Sequence, residues 1–300
     1  MYALPKFVLF AITIIACCVR SIFSGCYSKR VSSDNYHTWL FGLLQSIFCL
    51  VSIIGIFLIS GGLGTFSLVS IGLGVLIGIA DITVLVATLK ALSIGPFSYT
   101  IIITSLGSVI SALSGYFFGE SVSFVQYIGI GLMIVCLLLS PESSADNNEK
   151  KASFKWLALC ILAACCSGAI GVTQKIHQNT MYSDERAALL VGAFAFSVIF
   201  SVVMLALDKG KKSANPISVS KWVVLGLPAI AGFLFAFQHS INLYLSGAMP
   251  AIIVFPLINL LPMIISMTVG FIIFKEKLTV KRWLGLLCGI ASSVLVSGII

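Results

Sequence analysis

The sequence predicts an all-α integral membrane protein with ten transmembrane helices. Of its 300 residues, 59% are hydrophobic and 9% are charged, and the mean hydropathy is +1.12. Soluble domains carry about 25% charged residues. Apolar runs of about 20 residues, the length that crosses a bilayer, recur along the whole chain. A soluble domain is excluded, because no polar stretch between these runs is long enough to bury a core.

Ten apolar runs account for nearly all of the chain. They span residues 5–28, 37–60, 65–90, 95–118, 122–140, 154–176, 186–207, 219–244, 249–274 and 279–300. The clearest polar break, PESSADNNEKKAS, separates two groups of five runs. We therefore expect a first five-helix unit at 1–140, a linker at 141–153 and a second five-helix unit at 154–300.

The first run is predicted to be a mature helix. A secretory leader, or a lipoprotein leader ending at Cys26, would be removed after synthesis. Arg20 interrupts the apolar core that such a leader needs, and nine further runs follow. The nine cysteines lie in or beside apolar runs without the spacing of a zinc site. They favour helix packing, and no metal or cofactor is predicted.

The two halves repeat in sequence. Residues 118–129, FGESVSFVQYIG, align with residues 274–285, FKEKLTVKRWLG, so that Glu120 corresponds to Glu276. Further matches occur in the same order in both halves. Because five is an odd number, the halves must cross the membrane in opposite directions. The sequence therefore predicts two inverted five-helix repeats, an architecture in which secondary transporters bind substrate near the midplane.

These motifs resemble the EamA-like branch of the drug/metabolite transporter superfamily. The first half carries ALSIGPFS and YFFGESVS, and the second carries LSGAMPA, NLLP and FKEKLT. The resemblance covers nearly the whole chain and implies a ten-helix secondary transporter, often an exporter of metabolites or toxic compounds. There are two departures from the pattern. Leu106 stands where the second half has Pro262, and the first helix has Arg20 instead of the coupling glutamate of the small four-helix relatives.

Basic residues are distributed unevenly across the predicted topology. Of 18 Lys and Arg residues, 14 fall on one side and 3 on the other, while Arg20 lies inside a helix. Because Lys and Arg prefer cytoplasmic loops, this bias puts the loop 209–218 in the cytoplasm and both termini outside. The family resemblance implies cytoplasmic termini, so the orientation stays open. We expect a multi-pass protein of a cell membrane, of the bacterial plasma-membrane type, and no nucleic-acid partner.

Two charged residues lie well inside predicted helices, away from the helix ends, where a charge is costly unless it pairs, snorkels or faces water. Asp81 is the only deep carboxylate, in VLIGIADITVLVAT. It would serve in proton or ion coupling, bind a cation, or be tied to a neighbouring helix. Arg20 would snorkel or pack, pair with Asp81, or contact an anionic substrate.

Uncharged and basic polar residues also occur within the predicted helices of the second half. The candidates are Gln174, Lys175, Gln238, His239, Asn242 and Asn259. Gln238 and Asn242 are four residues apart and so share one helical face. We predict that this set lines a central cavity. Hydrogen bonds between helices would also explain each residue alone.

The predicted function is secondary active transport of a small metabolite or drug-like molecule by alternating access, with proton coupling and export favoured. Alternatives are a non-transporting or lipid-flipping membrane subunit and an intramembrane enzyme. The enzyme alternative lacks HExxH, GxSxG and paired carboxylates, and no P-loop offers a site for ATP. Besides substrate and lipid, a homodimer is a candidate partner, because Gly74–Gly78 and Gly285–Gly289 have GxxxG spacing.

Overall fold

The computed structural model describes residues 5–30, 35–95, 97–120, 123–139, 153–207, 222–259, 262, 265 and 280–297. In these residues the chain forms helices and connecting turns, without a β-strand. Among the described residues, six helices are long and apolar enough to cross a membrane. Many large apolar side chains are exposed on them, as lipid-facing residues are. The chain is therefore a multi-pass membrane protein.

The helices follow the predicted runs closely. In chain order they are α1 (Lys6–Arg30), α2 (Asn35–Ile59), α3 (Leu68–Ile94), α4 (Phe97–Thr104), α5 (Gly107–Leu113), a 3₁₀ turn (Ser114–Phe118), α6 (Phe124–Leu139), α7 (Phe154–Gln178), α8 (Arg186–Leu207), a π-helical turn (Trp222–Gly226), α9 (Leu227–Ala248), α10 (251–259) and α11 (Val280–Ser297). The predicted linker 141–153 apart from Ser153, the loop 209–218 and most of the ninth run after Asn259 lie outside the described residues.

The fourth predicted run, 95–118, is not one helix. It divides into α4, α5 and the 3₁₀ turn. The break falls at Ser105, whose hydroxyl donates to the carbonyl oxygen of Ile101 at 2.8 Å. Just beyond it, Gly107 lies so close to α7 that a β-carbon would meet the backbone of Ala164 and Gly168. The run is interrupted where the chain approaches another helix backbone to backbone.

A close helix crossing joins the two halves of the chain. A β-carbon on Gly74 or Gly78 would clash with the carbonyl oxygen of Leu189 or Ala193, respectively, so α3 and α8 pack backbone to backbone. The Ser197 hydroxyl donates to the Gly78 carbonyl oxygen at 3.2 Å. The GxxxG spacing at these two glycines therefore serves packing within the chain, as small residues do in membrane helices.

The helix bundle has two ends. The Glu185 end contains the connections at 60–67 and 179–185, which meet where Thr65 donates a hydrogen bond to Glu185. The Trp156 end contains the end of α3 and the start of α7, which meet where the indole of Trp156 donates to Thr100. Between these ends, the helices of the two halves enclose the polar residues described next.

Candidate functional site

A cavity of about 150 Å³ lies between the helices of the two halves. Seven of the eight predicted site residues line it: Arg20, Asp81, Gln174, Gln238, His239, Asn242 and Asn259. They come from α1, α3, α7, α9 and α10. The structure thus brings together residues that are up to 239 positions apart in sequence. Their roles toward a ligand stay predictions.

Asp81 lies in the middle of α3 and is only 6% exposed. Its Oδ1 atom is 3.5 Å from Nε2 of His239. On the other side of the imidazole, Nδ1 is 3.4 Å from the side-chain nitrogen of Gln174. If Gln174 donates to Nδ1, the neutral ring carries its proton on Nε2, facing the carboxylate. This chain of three side chains links α3, α9 and α7.

Two aromatic rings hold the imidazole of His239 in place. The ring of Phe235, one helical turn earlier in α9, lies edge-on with its centroid 4.3 Å away. The ring of Phe194 from α8 lies edge-on at 5.3 Å. With both rings packed against it, the imidazole keeps its nitrogens directed at Asp81 and Gln174.

Arg20 lies over an aromatic ring instead of beside a carboxylate. Its guanidinium carbon is 4.5 Å from the centroid of Phe235, a cation–π distance. Its Nε atom is buried and has no hydrogen-bond partner. Among the described residues, Asp81 makes its ion-pair contact with His239 and not with Arg20. The predicted alternative of an Arg20–Asp81 pair is therefore not the arrangement found.

Several buried oxygen atoms around the cavity lack a hydrogen-bond donor. They are Oδ2 of Asp81, Oε1 of Gln238, Oδ1 of Asn242 and Oε1 of Gln45. Buried polar groups are nearly always paired, so these atoms have unused hydrogen-bonding capacity. Sequence reasoning missed Gln45, whose only signal is a lone amide within the apolar run FGLLQSIF.

Lys175 lies outside the cavity and forms an ion pair with Glu120. Its Nζ atom is 2.6 Å from Oε1 of Glu120, and the two side chains are 7% and 13% exposed. Nζ also donates to the carbonyl oxygens of Ser246 and Met249, while Glu120 accepts from the backbone nitrogen of Ala251 at 2.7 Å. Sequence reasoning did not select Glu120 as a site residue, because it placed this residue at a helix end. The available signal for its importance was its correspondence to Glu276 in the repeat.

A second carboxylate ties the halves together at the Glu185 end. Glu185 accepts hydrogen bonds from the hydroxyls of Thr65, Ser67 and Ser70 and from the backbone nitrogen of Ser67. The hydroxyl hydrogen bonds of Ser67 and Ser70 lower the pKa of Glu185 to about 2. Ser70 also contacts Nε2 of the fully buried His177 at 3.1 Å. These contacts connect the start of α3 to the end of α7 and to the turn that follows α7.

The described part of the chain contains no group of three His, Cys, Asp or Glu side chains arranged to hold a metal ion. The cavity instead offers one carboxyl, one guanidinium and one imidazole side chain, those of Asp81, Arg20 and His239. These groups can bind charged or hydrogen-bonding molecules, and the carboxyl and imidazole groups can also exchange protons.

Comparison with known proteins identifies a family for the second half. The EamA-like transporter family matches residues 154–298, so the resemblance predicted from the motifs is confirmed for this half. A solved structure titled "Crystal structure of protein" is 12% identical, covers 98% of this chain and 99% of its own, and has a TM-score of 0.67. At that identity the likeness concerns the fold. No curated protein matches the chain.

Proposed function

Because residues 154–298 match the EamA-like transporter family, we propose that the protein is a secondary transporter that moves a small polar molecule by alternating access. The observation that carries this proposal is the polar cavity, which helices of both halves line together. In an apolar helix bundle, buried groups with unused hydrogen-bonding capacity mark a substrate or ion pathway. No catalytic step is assigned to the cavity.

The ten-helix inverted repeat is part of the same proposal. Support comes from the directions of α1 and α7, the first helices of the two halves. Near the start of α1, Leu9 packs against Ile241 and Leu245 close to the end of α9, at the Glu185 end. By contrast, α7 ends there, with His177 beside Ser70. Two oppositely directed halves that rock against each other would expose the cavity to one side at a time.

We assign proton coupling to Asp81 and His239. When the imidazole takes up a second proton and becomes charged, the two side chains form an ion pair across the 3.5 Å contact. When it is neutral, its Nε2–H can still face the carboxylate, but the buried negative charge lacks a counter-charge. A donor group of the substrate therefore competes with the proton for Asp81. Binding on one side would release a proton, and linkage requires that protons weaken substrate binding in return. An inward proton gradient would then drive export.

The test begins with a screen of small polar compounds for thermal stabilisation of the purified protein. Compounds that stabilise it are added to proteoliposomes containing a pH-sensitive dye. We expect substrate-dependent proton movement with the wild-type protein and none with Asp81→Asn. The matched control is Thr83→Val on the same helix, because the Thr83 hydroxyl bonds to Ile79 of its own helix, outside the cavity.

Each component of the proposal has its own contrary result. Unaltered pH-dependent flux in Asp81→Asn would overturn the coupling role while leaving transport intact. A wild-type protein that no compound stabilises, and that moves none of them across the bilayer, would overturn transport itself.

A further inference from the structure

A chain of hydrogen bonds runs through the Glu185 end, outside the cavity. It links Arg186 of α8, Gln178 and His177 at the end of α7, Ser70 of α3, and Glu185. His177 lies at the centre of this chain and is fully buried, with 0% of its surface exposed. Its imidazole does not line the cavity, and the proposed transport mechanism does not use it.

The donor and acceptor roles around Gln178 are fixed by its two other partners. Arg186 can only donate, and its Nε atom is 3.2 Å from Oε1 of Gln178. The Nε2 atom of Gln178 donates to the carbonyl oxygen of Ser183, which can only accept, at 3.2 Å. The amide therefore presents its NH₂ group to Nδ1 of His177, 3.1 Å away. This ring nitrogen must be the acceptor.

The contacts on the other side of the imidazole agree with this assignment. With a pKa of about 2, Glu185 is ionised at neutral pH, so the Ser70 hydroxyl donates to its Oε2 atom at 2.7 Å. The oxygen of Ser70 then has a lone pair to accept from Nε2–H of His177 at 3.1 Å. Every bond in the chain is made when the imidazole is neutral and carries its proton on Nε2.

A second proton on His177 disrupts this arrangement. The charged imidazole has an N–H donor on each nitrogen, so Nδ1–H would point at the NH₂ group of Gln178. Turning the amide over would remove the two other hydrogen bonds that hold it in place. A charge on a fully buried ring is also costly. The closed Glu185 end therefore excludes this proton.

Charged side chains of several neighbouring elements surround His177. Glu185 of the turn and Arg186 of α8 act on its imidazole with opposite charges. The others are the paired Lys175 and Glu120 and the exposed Asp184 and Lys6. Histidine is the side chain whose ordinary titration lies between about pH 5 and about pH 8, so the imidazole is the group here that responds to pH in that range.

We propose that His177 is a second proton-binding site, separate from the cavity, and that a proton on its imidazole opens the Glu185 end. Opening exposes the ring to water, where both N–H groups find acceptors. The open end then binds the proton more tightly than the closed end, and by linkage the proton favours the open end. The site responds to the pH on the side of the membrane that the Glu185 end faces. This inference rests on the proposed function, because it uses the same rocking motion.

The test measures the distance across the Glu185 end between spin labels at Ser60→Cys and Met181→Cys, in a cysteine-free background. Both positions are exposed. The measurement runs from about pH 8 to about pH 5, around the ordinary histidine pKa of about 6.5. Below that pKa, the ratio of open to closed molecules should rise by up to about tenfold per pH unit, the slope for one proton. A distance that Glu120→Gln lengthens but pH does not would overturn the inference.

Two histidine variants assign the response. His177→Gln can still donate a hydrogen bond to Ser70 but cannot take up a proton, so its distance should not change with pH. His37→Gln is the matched control, because His37 lies at the start of α2, where its carbonyl oxygen accepts from Tyr27. This control should keep the wild-type response. A response that survives in His177→Gln would overturn the proposal.

Gln178→Glu removes the group that excludes the proton. A carboxylate oxygen in place of the amide nitrogen accepts a hydrogen bond from Nδ1–H of a charged imidazole, so the closed end then tolerates the proton. The opening should shift to lower pH or disappear. A midpoint equal to that of the wild type would overturn the proposal.

Nitrogen NMR of wild-type protein labelled at histidine gives a result that needs no histidine variant to fold. At about pH 8 the buried imidazole should be neutral with its proton on Nε2, and its charged form should appear together with the longer distance. A charged His177 in molecules that keep the short distance would overturn the proposal.

This experiment separates the proton site from transport. A pH response that depends on His177, in a protein that moves no tested compound across the bilayer, would support the proton site and overturn transport. Transport in a protein whose distance responds to Glu120→Gln but not to pH would overturn the proton site and leave transport standing.

Discussion

The two ends of the helix bundle are held together by different kinds of contact. At the Glu185 end, carboxylates of each half bind groups of the other half, as in the Glu120–Lys175 ion pair and the contacts of Glu185. At the Trp156 end, the contacts between the halves include the hydrogen bond from Trp156 to Thr100 and the edge-on rings of Trp39 and Phe200. The first end is joined by charges and the second largely by aromatic packing.

This difference suggests how the two ends would respond to the proposed rocking motion. An ion pair in a low dielectric depends steeply on distance and geometry, so under this proposal the Glu185 end would act as a latch that is either made or broken. Packed aromatic side chains slide past each other at lower cost. The cavity is lined along α3 from Asp81 to Leu92, two residues before that helix ends, so it extends toward the Trp156 end. We interpret the structure as a conformation latched at the Glu185 end.

The largest expected effect comes from breaking the latch at Glu120. Glu120→Gln leaves the buried ammonium of Lys175 without its anion, and breaking a buried ion pair in this way costs roughly 3–5 kcal/mol. We expect a correspondingly lower thermal stability of the protein in detergent. The double variant Glu120→Gln with Lys175→Met removes both charges and should recover much of the loss. Equal stability of the single and double variants would contradict a coupled pair.

The backbone crossing of α3 and α8 gives the next largest effect. Gly78→Ala puts a β-carbon against the backbone of Ala193, and overpacking of this kind costs roughly 1–3 kcal/mol. The matched control is Gly72→Ala on the same helix, where a β-carbon meets nothing within 4 Å. Alanine should be neutral or stabilising there. Equal effects of the two substitutions on thermal unfolding would show that α3 and α8 do not pack backbone to backbone at Gly78.

A smaller effect is expected at the opposite end. Trp156→Phe removes the indole hydrogen bond to Thr100, which spans 3.0 Å, and a hydrogen bond of this kind contributes about 1 kcal/mol. Thermal unfolding of this variant, compared with that of Glu120→Gln, measures the difference between the two ends directly. If Trp156→Phe costs more than Glu120→Gln, aromatic packing and not the ion pair dominates the contact between the halves.

The smallest effect at neutral pH should come from Glu185→Gln, and it should depend on acidity. The folded-state pKa of Glu185, about 2, lies below the ordinary glutamate value of about 4.3. Its stabilisation is therefore fully present above that ordinary value and is lost as the pH falls toward 2. The stability difference between wild type and Glu185→Gln, measured from pH 6 to about pH 2.5, should shrink with acidification. A pH-independent difference would rule out this carboxylate as an acid-sensitive latch.

Much of the helix arrangement followed from hydrophobic run lengths, because lipid requires about 20 apolar residues per crossing. The break in the fourth run was not predictable, since it depends on the approach of Gly107 to α7, a contact between distant parts of the chain. Polar residues within apolar runs were good guides to the cavity, because a polar side chain in a membrane helix is costly unless it is paired or faces a polar cavity. Lys175 was the exception. Its partner, Glu120, lies at a helix end, and a sequence does not reveal which helix ends meet.

The central claim is that the two ends open alternately around the polar cavity. Spin labels in a cysteine-free background would measure one distance across each end, from Ser60→Cys to Met181→Cys at the Glu185 end and from Tyr36→Cys to Phe154→Cys at the Trp156 end. All four positions are exposed. Glu120→Gln should lengthen the first distance and shorten the second, because breaking the latch releases the Glu185 end. Unchanged distances in a variant that still transports would contradict alternating access by this motion.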